Sequence, residues 1–227
     1  MLLSWQNTAG IEDNFDYLLV FRDLGVKKMQ LTYSTQNYSA AGHTEENDSG
    51  LIGFGKEVVL EMARGGIVCD LSHVGPKITK DVIEFAMEGK PPCFSHLLPA
   101  GLKEHKRNKS HEVIRLLGAK GGFVGLSQFG PHMKKGDDGL IDDYIDAVGY
   151  LIGLIGETLV AIGSDASEGH ARPGAFLEWC NKDKVYARQL TPWGIDKVVK
   201  PLRKLEDRGE LVVAIAGKDW SEKIQRF

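Results

Sequence analysis

The chain has 227 residues, of which 42% are hydrophobic, so it can bury one substantial core and is expected to form a single α/β domain. Its 28 basic and 31 acidic residues leave a net charge of -3, which argues against a nucleic acid or an anionic membrane surface as a partner. The three cysteines, Cys69, Cys93 and Cys180, are odd in number and widely spaced, which favours buried thiols in a cytoplasmic protein over the disulfide framework of a secreted one.

Six short apolar runs predict the strands of a parallel sheet. Their apolarity is nearly continuous, as expected for parallel strands that are covered on both faces. Residues 1–5 have no basic flank and are soon followed by Glu12 and Asp13, so a signal peptide is not expected there. The runs span residues 2–6, 28–33, 67–73, 92–96, 123–129 and 159–165.

Segments of helical periodicity separate most of these runs and predict repeated βα units. The first helix is expected to end at Gly25 and the second at Gly65 and Gly66, while Ser110 can cap the start of the fourth. The fifth, over residues 140–155, has the clearest periodicity. The longest apolar stretch of the sequence, residues 147–162, overlaps this helix and is too short to span a bilayer. The third carries the apolar positions Ile78, Val82, Phe85 and Ala86.

The remaining segments predict loops and a C-terminal helix. Residues 195–205 have helical periodicity, whereas residues 212–216 suit either a strand or a short buried helix. Residues 48–55 and 168–191 are irregular, and long loops after strands are where α/β enzymes carry specificity.

Polar residues stand at the C-terminal ends of five predicted strands, where a parallel barrel collects its catalytic groups on one face. A single histidine in such a place is more often structural. Two histidines that end successive strands can both reach one zinc ion, however, and this is the arrangement of His73 and His96. The full set is Gln6, Tyr33, His73, His96 and Asp165.

Two further side chains each allow a functional and a purely structural interpretation. Asp165 follows three small or apolar residues, and this pattern fits a proton-transfer carboxylate and a helix cap about equally. Arg107, within the basic segment 106–109, could bind a carboxylate through its planar guanidinium or simply lie in a solvated loop. No role is assigned to His43, His105, His132 and His170.

Four motifs follow one another in a familiar order: Asp70-Leu-Ser-His73-Val, Phe94-Ser-His96, Arg107-Asn108 and Gly163-Ser-Asp165. In this order and spacing they resemble the core of the membrane (renal) dipeptidase family, zinc metallopeptidases with an amidohydrolase-like barrel. Residues 31–33, 49–55 and 215–220 support the resemblance, which covers almost the whole chain.

The resemblance implies a distorted (β/α)8 barrel that hydrolyses dipeptides with metal-activated water. It assigns His73 and His96 to one zinc ion, Arg107 to the substrate's terminal carboxylate, and Asp165 to proton transfer. The adjacent Asn108 is expected to bind the substrate as well.

The chain also departs from the family pattern. Family members begin with a His-x-Asp pair that binds a second zinc ion, and this pair is missing here, so we expect one zinc ion at most. Gln6 stands where a glutamate bridges the two ions, and an amide cannot supply the negative charge, so Gln6 is only a weak candidate ligand. Tyr33 occupies the place of a catalytic histidine and is expected to be a catalytic residue with Asp165. Both replacements resemble a bacterial branch of the family.

The six predicted strands correspond to the last six of eight, so residues 1–227 are expected to form a single barrel domain that lacks the first two βα units. Such a domain exposes strand edges, and we expect a homodimer to cover them. Two alternatives to a dipeptidase stay open. The chain could be a non-catalytic relative or fragment that keeps the scaffold, or a related metallohydrolase that acts on another amide or a lactone.

Overall fold

The structure, a computed structural model, describes residues 3–127, 129–136, 141–163 and 165. It contains six parallel strands that alternate with helices. The strands are β1 (Leu3–Trp5), β2 (Val26–Gln30), β3 (Val68–Asp70), β4 (Phe94–Leu97), β5 (Val124–Ser127) and β6 (Val160–Gly163). All six predicted strands are therefore present, and they define an α/β fold with parallel sheets.

One α-helix lies between each pair of successive strands, as the periodicity predicted. The helices are α1 (Asp16–Asp23), α2 (Gly53–Arg64), α3 (Pro76–Phe85), α4 (His111–Ala119) and α5 (Ile141–Ile155). Ser110 caps α4 by accepting a hydrogen bond from the Val113 backbone N–H, as expected. Short 3₁₀ turns occupy Thr8–Ile11, Gly130–His132 and Glu157–Leu159.

The strands form two three-stranded sheets with the orders β1-β2-β3 and β4-β5-β6. Backbone hydrogen bonds of Cys93 link the sheets, because its N–H donates to Cys69 and its carbonyl accepts from Leu71, both at 2.9 Å. The spatial order of the strands thus follows the chain, and their C-terminal ends lie along one edge.

Packing explains why these runs become strands and helices. Apolar side chains of the strands face the inward faces of the helices, and α3, α4 and α5 also pack side by side. The buried core includes Met29, Leu71, Phe94, Leu97, Ile114, Leu126, Tyr144 and Leu151.

Several strands end earlier than predicted, and at β3 a polar side chain takes a backbone hydrogen bond that would have extended the strand. Strand β3 stops at Asp70, and the N–H of Ser72 donates to the Asp70 carboxylate instead of continuing the sheet. His73 therefore lies in the turn after β3, Tyr33 lies beyond β2, and Asp165 follows β6. His96 differs, since it lies within β4.

In the described part of the chain, no helix is long and apolar enough to cross a lipid bilayer. The predicted C-terminal helix, residues 212–216, the 168–191 loop, Cys180 and His170 lie outside the described residues.

Candidate functional site

The structure brings His73 and His96 together at the C-terminal ends of β3 and β4. Their Nε2 atoms lie 3.0 Å apart, and both side chains are buried. The rings are inclined at 56°, so the Nε2 edges rather than the ring faces meet. This is the pairing that the sequence predicted.

The orientation of His96 is set by a hydrogen-bonded chain that leads back to Asp70. The Ser95 hydroxyl donates to the Asp70 carboxylate, and the same oxygen lies 2.8 Å from His96 Nδ1. Because the serine proton is engaged with Asp70, His96 must donate its Nδ1–H to Ser95. The lone pair of His96 therefore lies on Nε2, on the side that faces His73.

Asp70 is held as a buried carboxylate by neighbours on β2, on β4 and in the turn that follows β3. Its Oδ1 accepts from the Ser72 hydroxyl at 2.6 Å and from the Ser95 N–H at 3.0 Å, and its Oδ2 accepts from Lys28 Nζ of β2 at 3.2 Å. Burial alone would raise the pKa of Asp70, but Lys28, His96 and the two hydroxyls together lower it well below its usual value. Asp70 is therefore ionised, and it anchors the chain to His96.

His73 is held by a different set of contacts. Its Nδ1 lies 3.0 Å from the Ser34 hydroxyl, and the ring of Tyr33 stacks on it with centroids 4.2 Å apart. The backbone N–H of His43 donates to the His73 carbonyl at 2.9 Å. The contact of Nδ1 with Ser34 leaves Nε2 of His73 directed at His96. Metal-binding histidines are commonly oriented in this way, by a hydrogen bond on the ring nitrogen that does not bind the metal.

Both imidazoles are neutral near pH 7. Burial lowers the pKa of His96 to about 3, with the positive charge of Arg107 adding to the effect. The pKa of His73 is lowered still further, again by burial first and Arg107 second. Neutral imidazole is the form that binds a metal ion.

The geometry of the pair fits a shared zinc ion. Two nitrogens at about 2.0–2.1 Å from one tetrahedral zinc are separated by about 3.3 Å, close to the observed 3.0 Å. In the described residues, no group of three or more histidine, cysteine, aspartate or glutamate side chains is arranged to hold a metal ion. The two histidines are the pair of side chains that could hold a metal ion here.

Arg107 lies behind the pair and is only 3% exposed. Its Nη2 donates to the His96 carbonyl at 2.8 Å, whereas its Nη1 is buried and, within the described residues, has no hydrogen-bond partner. Burial lowers the pKa of the guanidinium to about 10, although Asp165, Asp70 and Tyr33 oppose this shift. Arg107 is thus a buried cation whose Nη1 has no partner among the described residues, and it does not lie in a solvated loop.

Asp165 completes this arrangement from the end of β6. Its Oδ1 lies 3.5 Å from His96 Nε2, and its backbone φ of 57° is in the left-handed region. Burial raises the pKa of Asp165 to about 6, while Arg107 opposes the rise. An unusual backbone conformation together with a shifted pKa is typical of a functional residue.

Two predicted residues lie apart from the pair. The amide of Asn108 donates to the carbonyls of Lys103 and His132, at 2.8 and 3.0 Å, and so braces the loop that carries Arg107. Gln6 follows β1 with an exposed side chain, and among the described residues it forms no hydrogen bond with the histidines.

The sequence predictions did not include Asp70, Ser95, Lys28 or Ser34 as contributors to the site. A signal existed for one pair, since Lys28 and Asp70 place opposite charges inside two apolar strands that turn out to be neighbours. Ser34 and Ser95 gave no comparable signal. Ser34 is 39 residues from His73 in the sequence, and Ser95 adjoins His96 without a pattern that marks its contact with Asp70, so only the folded structure shows what each contacts.

Comparison with known proteins finds a matching dipeptidase family and relatives that are named dipeptidases. The family model described as membrane dipeptidase, peptidase family M19, matches residues 1–191. An uncharacterized dipeptidase of Schizosaccharomyces pombe is 30% identical over 161 residues, which are 68% of this chain and 38% of that protein. Dipeptidase aclJ of Aspergillus oryzae is 29% identical over 198 residues, 86% of this chain and 46% of that protein.

Solved structures show the same fold. An amidohydrolase from Pseudomonas aeruginosa is 40% identical, with a TM-score of 0.82 over 99% of this chain and 72% of its own. A metallopeptidase from Rhodobacter sphaeroides, liganded with a phosphinate mimic of the dipeptide L-Ala-D-Ala, has a TM-score of 0.77 at 19% identity and covers 99% of this chain and 62% of its own.

The chain spans less than half the length of the curated relatives it matches, at 38% and 46% of the two named above. The family model nevertheless covers most of the chain, including the histidine pair, Arg107 and Asp165. The chain therefore belongs to the membrane dipeptidase family of metallopeptidases, peptidase family M19.

Proposed function

We propose that this protein hydrolyses dipeptides with one zinc ion bound between His73 and His96. The observation that carries the proposal is the 3.0 Å approach of two buried, neutral imidazole nitrogens at the C-terminal ends of neighbouring strands. A bound zinc ion would activate water at neutral pH and polarise the peptide carbonyl. The fold of the described residues supports an incomplete (β/α)8 barrel as the scaffold of this site.

In this proposal, Arg107 binds the terminal carboxylate of the dipeptide. Its Nη2 is already engaged with the His96 carbonyl, and Nη1 is left as a buried donor. A buried N–H without an acceptor is unfavourable, and a carboxylate oxygen is a strong acceptor for a guanidinium. Asn108 is proposed to act beside it by holding the loop in place through its contacts with Lys103 and His132.

Asp165 is proposed to hold and transfer a proton through Oδ1, next to His96. A carboxyl group with a pKa of about 6 is mostly ionised at pH 7, but its pKa is close enough to neutral pH for it to accept and release a proton. Tyr33 is proposed as a hydrogen-bond donor to the substrate, since its ring is fixed on His73 while the side chain stays exposed at the edge of the site. Gln6 is kept as a weak additional ligand.

We further propose that residues 1–227 form one barrel domain with the last six of the eight βα units, that the protein is cytoplasmic, and that it forms a homodimer. Cys69 and Cys93, free and buried in adjacent segments of the sheet, support a reducing compartment. The dimer is supported by β1, whose three residues are exposed at the edge of the sheet.

The function is tested with zinc-supplied protein, a panel of dipeptides and the same dipeptides amidated at the C-terminus. The wild type should hydrolyse the free acids with a kcat/KM about 10–100-fold above that of the amides, because a charge-assisted hydrogen bond contributes about 1.5–3 kcal/mol. In Arg107→Met this ratio should fall towards one. Both substrates meet the same histidine pair, so the ratio isolates the carboxylate contact. A wild type that hydrolyses neither substrate would show that the proposed function is wrong.

A further inference from the structure

Lys109 is a buried lysine between the two segments that carry the histidines. It is 3% exposed, and its Nζ donates to the Val74 carbonyl and to Thr79 Oγ1, the latter at 3.2 Å. The same Nζ lies over the ring of Phe94, 5.8 Å from its centroid. Lys109 belongs to neither the histidine pair nor the groups to which a role was assigned above.

The burial of this ammonium group is unfavourable by itself. Among the described residues, no carboxylate forms an ion pair with Lys109. Burial lowers the pKa of its ammonium to about 7, and Arg107 adds to the effect. An apolar side chain of similar length would avoid this cost, so the donors of Lys109 are expected to have a specific task.

The contacts of Lys109 reach both histidines by short paths. Val74 directly follows His73, and Phe94 is on β4 with His96. The backbone of Lys109 is also fixed beyond β4, since its N–H donates to Leu98 at 3.1 Å and its carbonyl accepts from Ala100 at 2.8 Å.

Arg107 makes a similar contact with the strand that carries His96. It belongs to the same short segment as Lys109, and it donates to the carbonyl of His96 itself. Arg107 and Lys109, two cations of one segment, therefore each donate to a backbone carbonyl near the pair: Arg107 to that of His96, and Lys109 to that of Val74, which follows His73.

We infer that Lys109 is a positioning residue that fixes the turn carrying His73 against β4, and thereby sets the separation of the two imidazole nitrogens for a metal ion. The inference rests on the proposed metal site and deepens it. A zinc ion requires both nitrogens at nearly fixed distances, so a turn that is free to shift should bind the ion more weakly.

The test is Lys109→Met, which keeps the length and apolar contacts of the side chain and removes its donors. Zinc affinity is measured by competition with a chromophoric chelator, and ligand geometry by the visible spectrum of the cobalt(II) form. We expect zinc affinity to fall by about 10–100-fold and the cobalt bands to shift. Lys80→Met is the matched control, because Lys80 is an exposed lysine paired with Glu112, and it should leave both measurements unchanged.

The outcomes separate the inference from the proposed function. A wild type that binds no zinc contradicts the proposed metal site. A wild type that binds zinc, together with a folded Lys109→Met that binds it equally tightly and with the same cobalt spectrum, overturns the positioning role. If Lys109→Met does not fold, Lys109→Arg decides: its donors are kept at a different length, so its cobalt bands should shift from those of the wild type, and unchanged bands overturn the inference.

Discussion

His96 shows how single residues around the site determine what its imidazole can do. The proton on Nδ1 is fixed by Ser95, because the hydroxyl of Ser95 is itself committed to the Asp70 carboxylate. Lys28 keeps that carboxylate ionised inside the sheet. The result is a histidine whose Nε2 carries a lone pair and points at a second histidine, which is the form a zinc ligand needs.

Removal of the Ser95 hydroxyl should therefore weaken metal binding without removing a ligand. In Ser95→Ala we expect zinc affinity to fall by about 10–100-fold, since His96 loses the partner that fixes its orientation. The measurement is a zinc titration against a competing chelator. Ser127→Ala is the control, because Ser127 is a buried serine of β5 whose hydroxyl accepts from the Phe129 N–H and does not contact the pair. Equal affinities for the two variants would contradict the proposed orienting role.

The residues next to the candidate metal position could largely be predicted from the sequence, whereas the residues that orient them through hydrogen bonds could not. His73, His96 and Asp165 end or follow apolar runs, and parallel strands bring such ends together. Asp70 and Ser95 act through hydrogen bonds across strands, and their partners depend on register and rotamer. Sequence periodicity carries neither kind of information.

At the scale of elements, the close approach of β4, β5 and β6 depends on two glycines. A methyl group added at Gly125 or at Gly163 would lie 2.1 Å from the Ser95 carbonyl oxygen, which is far inside normal contact distance. Because Ser95 precedes His96, the absence of side chains at these two positions allows β4 to place its histidine.

Gly163→Ala should consequently disturb both stability and the site. We expect it to lower the free energy of unfolding by about 1–3 kcal/mol, as overpacking does in a dense core, and to weaken zinc binding. Gly149→Ala is the matched control. Gly149 lies exposed within α5, with nothing within 4 Å of an added Cβ, so the same substitution should raise stability by about 0.5–1 kcal/mol. Urea denaturation compares the two, and a destabilisation of equal size in both would contradict the packing argument.

The order and type of the elements followed from the sequence, but their bounds did not. Apolar runs and helical periodicity gave six strands and five helices in the observed order. The predicted strand over residues 67–73 shortens to Val68–Asp70, because the side chain of Asp70 captures the Ser72 N–H that would have extended the ladder. Such local competition between side chain and backbone is not visible in a hydrophobic pattern.

At the scale of the whole molecule, the edge strand β1 and its neighbouring segment expose apolar side chains to solvent. Leu3 and Trp5 of this strand are 42% and 44% exposed, and Val20 and Leu24 of the neighbouring segment are exposed as well. An edge strand with apolar side chains readily pairs with another chain. This supports the proposed homodimer.

Light scattering of the purified protein should give the mass of a dimer, and Leu3→Lys should shift the equilibrium towards the monomer because a charged side chain blocks edge pairing. Ile52→Lys, a change at an exposed aliphatic residue that precedes α2, should leave the mass unchanged. A wild-type monomer would contradict the dimer proposal.

The claim on which the whole account depends is that His73 and His96 share one metal ion, and anomalous diffraction at the zinc edge tests it most directly. Crystals grown with zinc should show a peak at about 2.0–2.1 Å from Nε2 of both histidines, which His96→Ala abolishes. A zinc peak that contacts only one of the two rings, or none at this position, would contradict the account.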